Sequence, residues 1–417
     1  MARVSLGRAL RHRNYRLFFT GQGTSLIGTW LTRYATGLMA WELSHDAWKV
    51  GLVAFFGQAP TSILAPFAGV LVDRWNRYRT IIVTQIFAMV QSALLAAFAL
   101  TGTMTIWILI GLGAFQAVIN AFDMPARQSF LGQMVGDRAD LPNAIALNSS
   151  MVNSARMVGP MIATVLVAAF GLGWCFAIDA LSYLAVIGSL LAMHVTPRPP
   201  RPRHADVLAE LKQGFQYVLG HPLVKTILFL LATTSILGGA YASMLPVVAP
   251  ELHGGRWGLG ILMGSAGCGA LCGALYLASR TTVVGLLRVI RNCVYGTAGG
   301  LVLLELAPNV YVAAPILFVV GMSLMVQMAS TNTLVQTVVD DDKLGRVMSL
   351  YAVAFFGGAP VGALLEGTLA HYVGAVNTMC VAGCAMLVAA ILYSRNLPAL
   401  RERIKPLYRQ LGLLPTR

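Results

Sequence analysis

Apolar residues fill this chain in long runs that are separated by short polar segments. Twelve of these runs are close to the length of about 20 residues that an α-helix needs to cross a bilayer. They cover approximately residues 16–42, 50–72, 80–100, 105–126, 143–169, 173–195, 223–248, 258–279, 283–306, 310–335, 347–370 and 376–395. The pattern predicts twelve membrane-spanning helices, and their even number places both termini on the same side of the membrane.

Composition points the same way. Of the 417 residues, 57% are hydrophobic and only 11% are charged, whereas soluble domains carry about 25% charged residues. The chain is therefore predicted to be an all-α, multi-pass membrane protein. Its basic N-terminus leads into a long first span and not into the short apolar core of a cleavable signal, so the first helix is expected to remain.

The net charge of +14 follows the predicted topology. With a cytoplasmic N-terminus, nearly all lysines and arginines fall in cytoplasmic segments. Only Lys49 and Arg256 fall outside, while Arg33 and Arg156 lie within spans. Because positive charge concentrates in cytoplasmic loops of membrane proteins, both termini are predicted to be cytoplasmic. Topology accounts for the charge, so no nucleic-acid partner is expected.

A proline-rich segment, TPRPPRPRH at 196–204, interrupts the helical pattern. Such a segment cannot continue a helix and favours an extended chain. It divides the chain into a six-helix half at 1–195, a linker with an amphipathic helix at 196–222, a second six-helix half at 223–396 and a basic tail at 397–417. The amphipathic helix is predicted from apolar residues at helical spacing, namely Leu208, Leu211, Phe215 and Val218.

The two halves show a weak internal repeat. Gly159 and Pro160 in the fifth span correspond to Ala359 and Pro360, 200 residues later, in the eleventh span. Many transporters are built from such repeats, so two pseudo-symmetric halves are expected. Gly159, Pro160 and Pro360 are expected to bend their helices.

The loop between the second and third spans carries a dense charge cluster, GVLVDRWNRYR at 69–79. Gly69, Asp73, Arg74 and Arg77 together resemble the loop between helices 2 and 3 of major facilitator superfamily transporters. The resemblance implies a gating loop. Asp73 would lie at the positive N-terminal end of helix 11, and the arginines would tie helix 2 to helix 4, where Asp123 is available. The alternative is that the arginines are ordinary cytoplasmic anchors.

Three further stretches resemble the branch of that superfamily that contains the enterobactin exporter and macrolide efflux pumps. They are FDMPARQSFLGQMV, LPNAIALNSSMVNSARMVGP and GRVMSLYAVAFFGGAPVGALLEG. The resemblance covers essentially the whole chain. It implies the major facilitator fold, alternating access and a bacterial inner membrane location.

Polar residues recur at helical spacing within four spans. A polar stripe on a membrane helix must face protein or water, so these positions are candidates for a substrate cavity. The candidates are Gln22, Ser25, Thr29, Arg33, Gln116, Asn120, Asn153, Arg156, Gln327 and Thr331. The alternative is hydrogen bonding between helices without a role in transport.

The acidic residues within spans include Asp123, Asp179 and Glu366. A carboxyl group shielded from water takes up a proton readily unless an arginine compensates its charge. All three are therefore candidate proton carriers, with Asp123 and Glu366 favoured. A purely structural ion pair or hydrogen bond is the alternative for each.

These features together favour a proton-coupled exporter of amphipathic small molecules, such as a siderophore, a macrolide or another drug. A lysophospholipid flippase of the same fold is the alternative. The histidines are scattered and the six cysteines lie within spans, so no catalytic residue, metal site or cofactor is expected. The expected partners are the substrate, protons and membrane lipids, and the protein is expected to be a monomer.

Overall fold

The computed structural model describes residues 7–135, 138–194, 207–280 and 282–410. These residues form helices joined by short turns, and no strand occurs among them. The α-helices are α1 (Arg13–Ser44), α2 (Ala47–Phe56), α3 (Ala59–Arg74), α4 (Arg77–Leu100), α5 (Ile106–Met134), α6 (Leu141–Phe170), α7 (Leu172–Leu191), α8 (Val207–Gly220), α9 (Pro222–Leu237), α10 (Tyr241–Glu251), α11 (Gly258–Ala278), α12 (Leu286–Leu303), α13 (Val310–Val338), α14 (Asp341–Val373) and α15 (Ala375–Gln410). The prediction of an all-α membrane protein is confirmed.

Ten helical stretches of the described residues are long and apolar enough to cross a membrane. The predicted second span is not one continuous helix, because α2 ends at Phe56 and α3 begins at Ala59. Pro60 stands in the first turn of α3, where its missing N–H needs no helical partner. The last predicted span continues into the predicted tail, since α15 runs to Gln410. The count of twelve spans stays a prediction.

The described residues form two compact units. The first comprises those within Met1–His45 and Phe56–Ala205, and the second those within Asp46–Phe55 and Asp206–Arg417. The proline-rich part of the predicted linker, at 196–204, lies outside the described residues. The second unit thus includes all of α2 except Phe56, although α2 precedes most of the first unit in sequence.

In the first unit, α1 packs against α6 and α7, and α4 packs against α5 and α7. Small residues permit this packing. A Cβ atom at Gly28 of α1 would lie 2.6 Å from Ser182 Oγ and 2.7 Å from Asp179 Oδ1 in α7. The absence of a side chain at Gly28 therefore places α1 directly beside the buried carboxylate of Asp179.

In the second unit, α13 packs against α11 and α12, and α14 packs against α8, α9 and α15. The backbones of α11 and α13 approach closely at two glycines. A Cβ atom at Gly269 would overlap with the carbonyl oxygen of Phe318, and one at Gly321 would overlap with that of Ala266. Small residues at such crossings allow the van der Waals contact that holds membrane helices together.

We expect Gly269→Ala to lower the free energy of unfolding by at least about 2 kcal/mol, because the added methyl group has no space between α11 and α13. Gly299→Ala is the matched control, since a Cβ atom at Gly299 in α12 meets no atom within 4 Å. Thermal unfolding of the two purified variants measures the difference. Equal stability would show that α11 and α13 do not depend on this contact.

The predicted amphipathic helix corresponds to α8. Gly214 of α8 lies against the first turns of α14, where its Cβ would be 3.0 Å from the carbonyl oxygen of Arg346. Tyr217 donates a hydrogen bond of 3.4 Å to Asp340 at the start of α14. Val218 is buried, whereas Phe215 is exposed. The side chains of Leu208 and Leu211 lie outside the described part of the chain.

Candidate functional site

Two arginines share one indole ring in the first unit. The guanidinium carbon of Arg33 lies 4.8 Å from the centroid of Trp30, and that of Arg156 lies 5.4 Å from the same centroid. Cations at these distances are attracted by the electron-rich face of an indole. We call Trp30, Arg33 and Arg156 the Trp30 cluster. It joins two of the predicted cavity residues.

The local sequence explains how the cluster forms. Trp30 and Arg33 are three residues apart on α1, so their side chains are neighbours on the helix surface. Gly159 of α6 abuts the Cβ atom of Trp30, because glycine leaves room for the base of the indole. Arg156 precedes Gly159 by three residues and therefore reaches the same ring.

The cluster concentrates positive charge beside an aromatic surface. Arg33 is exposed and Arg156 is half-buried, so both can be reached from outside the first unit. Two like charges over one ring repel each other, and an anion placed between them would relieve that repulsion. Arginine also forms paired hydrogen bonds with carboxylates and stacks on aromatic rings. The arrangement suits a ligand that is both anionic and aromatic.

The other cavity candidates of the first unit differ in exposure. Gln22 and Ser25 are buried, so they lie inside the helix packing. Gln116 donates a hydrogen bond of 3.1 Å to Asn120 one turn later on α5, and both side chains are half-buried. Two others bond to the backbone of their own helices: Thr29 donates to Ser25 at 3.0 Å, and Asn153 donates to Ser149 at 2.9 Å.

The two cavity candidates of the second unit are buried. Gln327 of α13 donates a hydrogen bond of 2.7 Å to Thr234 of α9. Thr331 lies one turn further along α13 and is 1% exposed. The contact between Gln327 and Thr234 matches the alternative for these positions, which is hydrogen bonding between helices.

Asp123 lies in a polar contact between α4 and α5. It forms an ion pair with Arg127, one turn later on α5. Its Oδ1 atom also accepts hydrogen bonds from Thr84 at 2.8 Å and from Gln85 at 2.9 Å. The carboxylate is therefore compensated by a cation and by two donors of α4, which favours the structural alternative for Asp123.

Asp179 joins three helices of the first unit. Its Oδ2 atom accepts hydrogen bonds of 2.8 Å from Thr32 of α1 and from Ser92 of α4. The side chain is 1% exposed. These contacts hold α1, α4 and α7 together, and they also favour a structural role.

Glu366 differs from the other two carboxyl groups. It is 5% exposed, and neither of its carboxyl oxygens has a hydrogen-bond partner among the described residues. Burial of an unpaired ionised carboxylate is very costly, so the proton-loaded form suits this position. Among the three candidates, Glu366 is therefore the one whose surroundings most favour the protonated form.

The position of Glu366 is defined by the glycines on either side of it in α14. A Cβ atom at Gly362 would overlap with the carbonyl oxygen of Ile236 in α9, and one at Gly367 would lie 2.8 Å from that of Ala47 in α2. On a helix of 3.6 residues per turn, residue 366 projects between these two directions. Glu366 therefore lies where α2, α9 and α14 meet.

The predicted gating loop joins α3 to α4. Gly69 lies in α3, where a Cβ atom would meet nothing within 4 Å. Arg74 is exposed, Arg77 is half-buried, and the side chain of Asp73 lies outside the described part of the structure. Trp75 stacks on Phe122 with ring centroids 5.9 Å apart. Asp123, the predicted partner of the loop arginines, forms an ion pair with Arg127 in this structure, and the gating role of the loop stays a prediction.

The predicted helix-bending residues are all buried within continuous helices. Gly159 and Pro160 lie in α6, and Pro360 lies in α14. The sequence interpretation missed Trp30, although its position three residues before an intramembrane arginine is a usable signal. It also missed the pairing of Asp123 with Arg127, which their spacing of four residues indicates.

The family described as transmembrane secretion effectors matches residues 6–409. The chain belongs to this family of the major facilitator superfamily. The staphyloferrin A transporter of Staphylococcus aureus is 22% identical over 385 residues, which is 91% of this chain and 95% of that protein. The enterobactin exporter of Citrobacter koseri is 24% identical over 405 residues, covering 97% of this chain and 96% of the exporter.

Solved structures show the same fold. A bacterial homologue of the human lysosomal transporter Spinster, in an inward-facing and unoccupied conformation, matches with a TM-score of 0.70. Its sequence is 15% identical, and the match covers 94% of this chain and 97% of that one. A transporter of the POT family in complex with 5-aminolevulinic acid matches with a TM-score of 0.74 at 11% identity, covering 93% and 96% of the two chains. Family and fold are thus those of membrane transporters, and the resemblance to the major facilitator superfamily is confirmed.

Proposed function

We propose that this protein exports an anionic, aromatic small molecule of the siderophore class. The Trp30 cluster is the observation that carries the proposal. Its two guanidinium groups lie over one indole ring. Relatives of this chain include a staphyloferrin A transporter and an enterobactin exporter, which are transporters of the siderophore type. The half-buried residues Thr29, Gln116, Asn120 and Asn153 are the other proposed cavity residues of the first unit.

Catecholate groups fit the chemistry of the cluster. Their planar rings can stack on an indole or on a guanidinium plane. Their oxygens are paired hydrogen-bond acceptors that match the fork of donors on arginine. A macrolide lacks this combination of charge and planarity, so the cluster favours the siderophore among the predicted substrates.

Proton coupling forms the second part of the proposal, and Glu366 is its carrier. The side chain can hold a proton where α2, α9 and α14 meet and release it when a movement of these helices admits water. Asp123 and Asp179 have structural partners and are not required for coupling. The transporter works by alternating access as a monomer in the bacterial inner membrane, with both termini in the cytoplasm and with the loop of Gly69, Asp73, Arg74 and Arg77 as its gate.

Binding of a catecholate siderophore to the purified protein tests the substrate assignment. We expect Arg156→Ala to weaken the affinity by about tenfold to a hundredfold, the range for a lost hydrogen bond to a charged group. Arg156→Lys keeps the positive charge but loses the planar fork of donors. Its affinity is expected to lie between those of the wild type and Arg156→Ala. Arg288→Ala, at an exposed position at the start of α12, is the matched control. Unchanged affinity in Arg156→Ala would contradict the assignment.

A further inference from the structure

A cavity of about 550 Å³ lies at the N-terminal end of α1, apart from the Trp30 cluster. It is lined by His12, Arg13, Asn14, Gln133, Met134 and His194. We propose that this cavity binds a phosphate group, supplied by the headgroup of an anionic phospholipid or by a free phosphate ion. The proposal concerns ligand binding at the end of the helix bundle and does not depend on the transported substrate.

Polar contacts with residues at the start of α6 fix one side of the cavity. His12 Nε2 is 3.0 Å from Asp140 Oδ2, and Arg8 forms an ion pair of 3.1 Å with the other oxygen of the same carboxylate. The backbone N–H of Ala9 donates a hydrogen bond of 3.0 Å to Asn143 in α6. The short helix Arg8–Arg11 is thereby attached to the start of α6. These contacts hold the lining residue His12 in place.

Polar contacts also join the segment just after α7 to the start of α1. Asn14 donates a hydrogen bond of 2.8 Å to the carbonyl oxygen of His194 and accepts one of 3.3 Å from its backbone N–H. Arg13 Nη1 lies 2.9 Å from His194 Nδ1. Because arginine can only donate, Nδ1 is the acceptor, and the proton of this imidazole lies on Nε2. His194 therefore has a donor left for a ligand.

The lining has the chemistry of an anion site. Arg13 is positively charged and keeps N–H donors beyond the one directed at His194. Asn14 and Gln133 add amide groups, and none of the six lining residues is acidic. The acid next to the cavity, Asp140, is already engaged by Arg8 and His12. The positive end of α1 adds to the same potential.

Size and location indicate the class of ligand. A cavity of about 550 Å³ exceeds what one phosphate ion needs and can hold a phosphoglycerol headgroup. With the proposed cytoplasmic N-terminus, the cavity opens at the headgroup level of the inner leaflet. Basic pockets between membrane helices on that side are known to bind anionic lipid headgroups. Phosphate is the chemistry that both sources share.

The test uses the full chain in nanodiscs of phosphatidylcholine, with phosphatidylglycerol added in one arm and inorganic phosphate in the other. The readouts are the number of bound phosphatidylglycerol molecules by native mass spectrometry and the shift of the unfolding temperature. Arg13→Gln removes the charged donor of the cavity. Arg16→Gln removes an exposed arginine of the same helix that does not line it. Gln133→Glu is a near-isosteric variant that places a negative charge in the lining.

We expect phosphatidylglycerol to bind and to raise the unfolding temperature of the wild type and of Arg16→Gln, because a ligand that binds only the folded state stabilises it. Arg13→Gln and Gln133→Glu should lose at least about tenfold in affinity, which corresponds to about 1.4 kcal/mol. The same dependence on Arg13 with inorganic phosphate alone would identify the free ion as the ligand. The proposal would be overturned if Arg16→Gln lost as much affinity as Arg13→Gln. It would also be overturned if neither phosphatidylglycerol nor inorganic phosphate bound more weakly to Arg13→Gln than to the wild type. If Arg13→Gln fails to fold, Gln133→Glu decides.

Discussion

Replacement of Glu366 by glutamine is expected to abolish the dependence of transport on a pH gradient. Glutamine has nearly the shape of glutamic acid but can neither bind nor release a proton in this range of pH. Because the two side chains are nearly isosteric, the neutral amide should leave packing nearly unchanged at this buried position, where the carboxyl oxygens have no hydrogen-bond partner to lose among the described residues. Uptake into inverted vesicles with and without an imposed gradient measures the effect, and we expect the gradient-driven component to fall at least about tenfold.

Two matched variants make this result specific. Glu402→Gln removes a carboxylate with an exposed side chain near the end of α15 and should leave the gradient dependence intact. Asp179→Asn removes the other deeply buried carboxyl group that lacks an arginine partner in the described contacts. If Asp179→Asn abolishes the gradient dependence and Glu366→Gln preserves it, the carrier is Asp179 and the assignment of Glu366 is wrong.

Removal of the Asp123 carboxylate is expected to have the largest effect on stability. Asp123→Ala leaves Arg127 without its ion-pair partner and leaves Thr84 and Gln85 without their shared acceptor. Loss of one member of a buried ion pair costs about 3 to 5 kcal/mol. Because Arg127 is a quarter exposed, we expect about 3 kcal/mol, measured as a loss in the free energy of unfolding in mild detergent.

A double-mutant cycle separates the ion pair from the other contacts of Asp123. The variants are Asp123→Ala, Arg127→Ala and their combination, and we expect the double variant to be more stable than Asp123→Ala alone. A loss of less than about 1 kcal/mol in Asp123→Ala would show that the network contributes little. Asp123 would then return to the candidates for proton transfer.

The helical character of the chain could be read from sequence because it follows from composition. In the bilayer core, backbone N–H and C=O groups can form hydrogen bonds only with other backbone groups, so long apolar runs form helices. Interruptions depend on local residues and are harder to predict. The break between α2 and α3 falls at Gly57 and Gln58, inside a run that is predominantly apolar, and mean hydropathy alone does not reveal it.

The site was partly predictable for a similar reason. The sequence identifies Arg33 and Arg156 as candidate site residues, because a charged side chain within a membrane span costs free energy and usually has a function. The partner that unites them, Trp30, is apolar enough to be ordinary in a membrane helix. Its role depends on the close approach of Gly159 from α6, which is a tertiary contact. Spacing along one helix cannot supply such information.

The three carboxyl groups show the same limit. In sequence each is an acidic residue within an apolar span, and only Asp123 has an arginine four residues away. In the structure, Asp123 has a cation, Asp179 has two hydroxyl donors and Glu366 has no hydrogen-bond partner among the described residues. Their surroundings depend on which helices pack together, and these surroundings separate a structural carboxylate from a proton carrier.

Transport of a catecholate siderophore by the purified protein in proteoliposomes is the most direct test of the proposed function. With an imposed pH gradient, we predict accumulation of the siderophore against its own concentration gradient by the wild type, strongly reduced in Arg156→Ala and retained in Arg288→Ala. Lysophospholipid and a macrolide serve as competing substrates in the same assay. Movement of lysophospholipid alone, without need for a gradient, would contradict the account, as would siderophore transport that is unaffected by Arg156→Ala.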